Sequence, residues 1–168
     1  MSETRKPAAK VVVLGWGNPS RGDDALGPEL LARVEAWIGA HPGCSVEAFQ
    51  DFQLQVEHSL DLQGRDLALF VDAAVTGPDP YTFRRVAAAS EADPTTHALS
   101  PGGLLRAYGT LRCGPPPPAF ALAVRGHAFE LGDEPGLQAR INREAAWQLL
   151  ERLLGNPILG AWEGLGTP

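Results

Sequence analysis

Short apolar runs alternate along this chain with longer segments in which apolar residues recur every three or four positions. The continuous runs cover 11–14, 67–71 and 119–124, and they predict β-strands that are buried on both faces, as in a parallel sheet. The recurring pattern predicts amphipathic helices that begin near Leu26 and Gly136. Strands that alternate with helices in this way are typical of an open α/β sheet.

Weaker patterns complete the predicted fold. Residues 43–49 predict a second strand, 55–62 a short helix, and 81–86 alternate as in an edge strand that can run antiparallel. Pro101 fits the first turn of a helix that continues to residue 111. The last helix is predicted to bury one face, formed by Leu137, Ile141, Ala145, Leu149 and Leu153. We therefore expect an α/β fold of three layers, α/β/α, with a twisted, mostly parallel five-stranded sheet.

The chain has 168 residues, which is the length of one ordinary domain. Residues 1–9 are polar and are predicted to form a flexible N-terminus. A single α/β domain is predicted over 10–154, followed by a Gly/Pro-rich tail over 155–168.

Charge and composition exclude several classes of function. The formal net charge of −6 argues against nucleic acid or an anionic membrane as the main partner, and it suits a monomer in solution. No apolar run approaches the roughly 20 residues of a membrane helix, and the N-terminus lacks the apolar segment of a signal peptide. Cys44 and Cys113 form neither a disulfide framework nor a CxxC pair, so a cytoplasmic location is expected.

Candidate chemistry lies after the predicted strands, because ligands of open α/β sheets bind outside the carboxyl ends of the strands. Asp23 and Asp24 follow the first strand, Asp72 ends the third, and His97 lies in the loop before the Pro101 helix. Two carboxylates and an imidazole with open positions suit a divalent metal ion. The alternatives are structural: an aspartate at 23 or 24 can cap the next helix, Asp72 can accept backbone N–H groups in a turn, and a loop histidine can be solvated.

The glycine-rich segment after the first strand resembles a dinucleotide-binding loop only in part. Glycines stand at 15, 17 and 22, but a GxGxxG spacing requires one at 20, where the chain has Ser20. Pro19 also removes an N–H group that a phosphate would use. A nucleotide-binding domain with Asp51 as the ribose partner therefore remains a minor alternative.

Three blocks of sequence resemble the hydrogenase maturation endopeptidases. The segment 52–58 further resembles the branch that serves soluble, NAD-coupled [NiFe] hydrogenases, and the whole resemblance runs over about 10–154. The three blocks are Val13-Leu14-Gly15-Trp16-Gly17-Asn18 with Gly22-Asp23-Asp24-Ala25-Leu26-Gly27-Pro28, then Leu69-Phe70-Val71-Asp72-Ala73, then Thr96-His97-Ala98-Leu99-Ser100-Pro101.

The resemblance implies a twisted five-stranded α/β/α fold and one cleavage reaction. Such enzymes remove a short C-terminal extension from the large-subunit precursor of a [NiFe] hydrogenase after nickel has been inserted. They are thought to contact that nickel, which the precursor supplies, through two carboxylates and a histidine. Carried onto this chain, these residues are Asp24, Asp72 and His97, and many members have Glu where this chain has Asp24.

The resemblance leaves mechanism and class open. The nickel can act as a Lewis acid or only dock the substrate while a carboxylate serves as general base, and an older view treats the family as aspartic-type endopeptidases. A non-proteolytic assembly factor that holds the precursor would carry the same three residues. The sequence therefore predicts a hydrolase of the maturation-protease type, with the assembly factor as its main alternative.

Overall fold

A computed structural model describes residues 7–91, 99–112 and 114–168. Most of the predicted flexible N-terminus, the predicted site residue His97 and Cys113 lie outside these residues.

Within the described ranges, five strands form one sheet in the order β2-β1-β3-β5-β4. The first three neighbouring pairs in this order are parallel, and β4 runs antiparallel to β5 at one edge. This confirms the predicted α/β fold, including the antiparallel edge strand. The strands are β1 (Val11–Trp16), β2 (Val46–Asp51), β3 (Leu67–Ala74), β4 (Tyr81–Val86) and β5 (Ala119–Arg125).

Helices cover both faces of this sheet. Two 3₁₀ segments, Gly22–Ala25 and Val56–Leu62, lie in the connections after β1 and β2. The α-helices are α1 (Leu26–Ala40), α2 (Pro101–Arg112), α3 (Leu137–Gly155) and α4 (Leu159–Gly164).

Each central strand contributes to two separate cores, because successive side chains point to opposite faces of a sheet. In β1, Val11 and Val13 face the core formed with α1 and α3, whereas Val12 and Leu14 face the core formed with α2 and the Val56–Leu62 segment. The continuous apolar runs in the sequence are the consequence of this double burial. We call these two faces the α1/α3 face and the α2 face.

The C-terminal segment packs against the domain. Trp162 of α4 is fully buried in the α1/α3 core, and its indole N–H donates to the Leu153 carbonyl at 3.0 Å. Thr167 extends the contact, since its backbone N–H donates to the Phe83 carbonyl of β4 at 2.8 Å. Residues 155–168 thus cover the β4 side of the sheet. No helix in the described ranges is long and apolar enough to cross a membrane.

The predicted buried face of the last helix is partly wrong. Leu137 and Ile141 are exposed, while the buried positions include Trp147 and Leu150. The predicted residues lie four apart, whereas an α-helix has about 3.6 residues per turn. Each predicted side chain is therefore rotated about the helix axis by about 40° relative to the one before it. Only the later members of the row, Leu149 and Leu153, remain on the buried side.

Two leucines of α3 give a direct test of the observed face. We expect Leu150→Ala to lower the free energy of unfolding by about 2–5 kcal/mol, because it leaves a cavity in the core. The matched variant Leu137→Ala, at a side chain 69% exposed, should change it by less than about 0.5 kcal/mol. Urea denaturation measures both values, and equal losses would contradict the assigned face.

Candidate active site

Asp72 stands near the carboxyl end of β3, on the α2 face of the sheet. Phe70, two residues earlier, belongs to the α2 core, and the alternation of the strand places Asp72 on the same side. The side chain is half-buried, and its Oδ1 accepts the backbone N–H of Ala73 at 2.8 Å. One acidic group therefore lies at the rim of an apolar core.

The pKa of Asp72 is raised from 3.8 to about 7. Burial of the carboxylate is the largest cause, and the negative charge of Asp24 adds to it. Hydrogen bonds from the Ala73 backbone and the Trp16 side chain oppose the change in pKa but do not cancel it. Asp72 can therefore take up or release a proton close to neutral pH.

Asp24 reaches the same edge of the sheet from the Gly22–Ala25 segment after β1. Its Oδ2 accepts the backbone N–H of Asn18 at 2.7 Å, and the residue is half-buried. Gly17 has φ +148°, and a Cβ there would stand 2.2 Å from the Asp24 carbonyl oxygen. Glycine at 17 thus lets the loop fold tightly enough to bring Asp24 beside β3.

The sequence allows Asp23 to be a helix cap or a residue of the candidate site, and the structure gives it a different role in holding two loops together. It is 1% exposed, and neither it nor Asp24 caps the following helix. Its carboxylate accepts the backbone N–H groups of His127 (2.7 Å), Ala128 (3.0 Å) and Gly136 (2.8 Å). Burial would raise the pKa of Asp23, but these three donors outweigh it and lower the pKa.

The structure brings two of the three predicted site residues together. Asp24 and Asp72 are close enough for one charge to change the pKa of the other. Their oxygens suit a divalent cation, which would relieve the repulsion between them. Within the described ranges no group of three His, Cys, Asp or Glu residues could hold a metal ion, and His97 lies outside them.

The other histidines have protein partners. His41 stacks on Trp37 at the end of α1, and His58 lies 3.5 Å from Asp51. His127 follows β5, and its Nε2 lies 2.8 Å from Oδ1 of Asp79.

The structure also accounts for the glycine-rich loop without a nucleotide. Gly22 has φ +51°, and a Cβ there would stand 2.4 Å from the Ala128 carbonyl oxygen. Asp51, the possible ribose partner, accepts the backbone N–H of Phe52 at 2.7 Å and faces His58. Both features serve contacts within the protein.

The comparisons with solved structures add a strong likeness of fold. The [NiFe] hydrogenase maturation protease HycI from Thermococcus kodakarensis KOD1 is 21% identical, with a TM-score of 0.64 over 88% of this chain and 94% of that one. The hydrogenase maturating endopeptidase HybD from E. coli is 21% identical, with a TM-score of 0.63 over 86% and 91%. No family model and no curated protein matches the sequence.

This chain has the hydrogenase maturation protease fold. The likeness covers 86–88% of this chain and more than nine-tenths of each of these two proteins, so it is not confined to the common α/β core. The solution structure of an endopeptidase HycI from E. coli gives a similar result, with a TM-score of 0.60 at 21% identity over 88% and 92%. Within this maturation protease fold, Asp24 and Asp72 lie at the edge where α/β folds bind ligands.

Sequence reasoning missed one contact of the site. In the sequence Trp16 stood only within the first of the three family blocks, yet its side chain lies close enough to Asp72 to lower the pKa of that group. The available signal was strand alternation, which places Trp16 on the same face as Leu14.

The two adjacent aspartates should respond differently to the same substitution. Asp23→Asn removes the negative charge that three backbone N–H groups share, and we expect it to lower the free energy of unfolding by about 1–3 kcal/mol. Asp24→Asn keeps an acceptor for Asn18 and relieves repulsion with Asp72, so it should not destabilise the fold. Denaturation at pH 7 compares them, and the reverse order would contradict the structural role of Asp23.

Asp72 should make the protein less stable as the pH rises from about 4 to about 7. Its pKa in the folded state lies above the unfolded value of 3.8, so folding favours the protonated form and stability falls as the proton is lost. We expect Asp72→Asn to be more stable than the wild type at pH 8, by at most about 4 kcal/mol, and equal to it near pH 4.

Melting temperatures between pH 4 and 8 check this prediction. Glu130→Gln removes an exposed acid and serves as the control, for which a small change is expected at every pH. If the melting temperatures of the wild type and of Asp72→Asn changed in parallel over this pH range, the prediction would be contradicted.

Proposed function

We propose that this protein is an endopeptidase that removes a short C-terminal extension from the nickel-loaded large-subunit precursor of a [NiFe] hydrogenase. The observation that carries the proposal is the close pair of half-buried carboxylates, Asp24 and Asp72, at the carboxyl edge of a sheet with the maturation protease fold. His97 is proposed as the third group that contacts the nickel.

The electrostatics of the carboxylate pair support recognition of a cation that arrives with the substrate. At neutral pH, burial and the charge of Asp24 keep Asp72 partly protonated. A divalent cation between the two groups would favour both charged forms, and an imidazole suits nickel as an additional ligand. A precursor without nickel offers no such compensation, which would make nickel a condition for productive binding.

The reaction is the hydrolysis of one peptide bond. Water adds to the scissile carbonyl carbon, the C–N bond breaks, and the proton lost by the water reaches the leaving amine. Asp72, with a pKa of about 7, has a suitable proton affinity to accept and return that proton near neutral pH. In the other mode, the two carboxylates only dock the nickel, and nickel polarises the carbonyl.

Three finer statements belong to the same proposal. The substrate belongs to the soluble, NAD-coupled class of hydrogenases, in keeping with the resemblance of 52–58. The protein acts as a monomer, and it acts in the cytoplasm.

Incubation of the protein with nickel-loaded and nickel-free precursor, followed by intact mass spectrometry, tests the proposal. We expect a discrete C-terminal peptide to be lost only from the nickel-loaded sample. Asp24→Ala, Asp72→Ala and His97→Ala should each reduce cleavage by at least about 100-fold while the protein remains folded. His41→Ala is the matched control with unchanged cleavage, because His41 ends α1 at the opposite edge of the sheet.

Each other outcome has a definite meaning. Cleavage of both precursors would retain the peptidase and remove nickel recognition. Binding of the nickel-loaded precursor without cleavage would replace the endopeptidase by the assembly factor. Normal cleavage by one of the three variants would remove that residue from the site.

A further inference from the structure

Trp16 ends β1 directly beside Asp72 on the neighbouring strand. The parallel register pairs Gly15 with Val71, so the next residues along the two strands, Trp16 and Asp72, come side by side. The indole ring meets the Phe70 ring edge-on, with centroids 6.2 Å apart and planes at 71°. Phe70 and Asp72 share one face of β3, and Trp16 therefore lies over the face that carries the carboxylate.

The half-buried Trp16 side chain combines an apolar contact with a polar one. Its ring packs against the α2 core, and its side chain lies close enough to the carboxylate of Asp72 to lower the pKa of that group. The indole N–H can only donate, so a carboxylate is a suitable partner for it. A second donor, the Ala73 backbone N–H, bonds to Oδ1 of the same group. The Ala73 N–H thus holds one carboxylate oxygen from β3, and the ring contact with Phe70 keeps the indole of Trp16 beside the same carboxylate from β1.

We propose that Trp16 is a positioning residue, whose indole N–H holds the Asp72 carboxylate in the orientation that the cleavage reaction needs. This inference rests on the proposed function, and it assigns the tryptophan at the end of β1 a role that a core residue would not have. Phenylalanine can keep the edge-on contact with Phe70 but has no donor, so Trp16→Phe separates orientation from packing.

The chain offers a matched control. Trp147 on α3 also donates its indole N–H to a carboxylate, Oε1 of Glu151, at 2.7 Å, but it belongs to the α1/α3 core. Trp147→Phe therefore removes the same kind of bond from the other face of the sheet. We expect Trp16→Phe to lower kcat on the nickel-loaded precursor by about 10–100-fold with KM nearly unchanged, and Trp147→Phe to leave both constants unchanged.

A second measurement does not depend on activity. The chain has four tryptophans, so a ¹H–¹⁵N spectrum resolves few indole signals, and Trp16→Phe identifies that of Trp16. In Asp72→Ala, the Trp16 indole proton should move upfield and exchange faster with solvent, while that of Trp147 stays in place.

The two measurements separate the possible failures. An unchanged Trp16 indole signal in Asp72→Ala, an unchanged kcat in Trp16→Phe, or equal losses of kcat in the two Phe variants would each overturn the positioning role. A wild type that does not cleave the nickel-loaded precursor would instead overturn the proposed function, and the indole spectrum would still decide whether Trp16 holds Asp72.

Discussion

The buried carboxylate of Asp23 is the contact on which the geometry of the candidate site depends. It joins the segment after β1 to the segment after β5 through three backbone N–H groups, in a position where an unpaired charge would be costly. Backbone bonds extend the same junction, from Gly22 to Asp133 and from Gly132 to Ser20. Because Asp24 is the next residue, the position of its side chain follows from this anchor.

The environment of the candidate site disfavours a charged carboxylate, whereas the environment of Asp23 favours one. Asp23 is surrounded by donors, which favour its charged form, whereas Asp72 is buried against an apolar core and faces a second carboxylate. The pKa of Asp23 is therefore lowered, whereas that of Asp72 is raised. A pair of carboxylates whose environment disfavours its charge is typical of a functional site, because compensation by a ligand then favours binding.

One face of the sheet carries the larger core, and the other face carries the candidate site. The α1/α3 face carries the larger core, with fully buried Trp162 and Leu150. The α2 face has a smaller core that ends at Trp16 and Asp72, so the candidate chemistry borders apolar packing. Leu137 and Ile141 lie on the exposed side of α3, whereas Ala139 joins the α1/α3 core from the first turn of the same helix.

Strand alternation and residue type determined much of this fold without reference to its tertiary structure. Continuous apolar runs identified β1, β3 and β5, and the alternating 81–86 segment identified an edge strand. The rule that ligands bind at carboxyl ends of strands gave Asp23, Asp24, Asp72 and His97 as candidates. These inferences depend on local patterns, which a sequence contains in full.

Tertiary structure alone decided which of two adjacent aspartates is buried, which face of α3 packs, and what Trp16 contacts. Asp23 is distinguished by partners more than 100 residues away, and the packed face of α3 depends on a helix drift that accumulates over several turns. The proximity of Trp16 to Asp72 arises from the pairing of β1 with β3. Such contacts depend on strand order and register, which the sequence pattern of a single element does not contain.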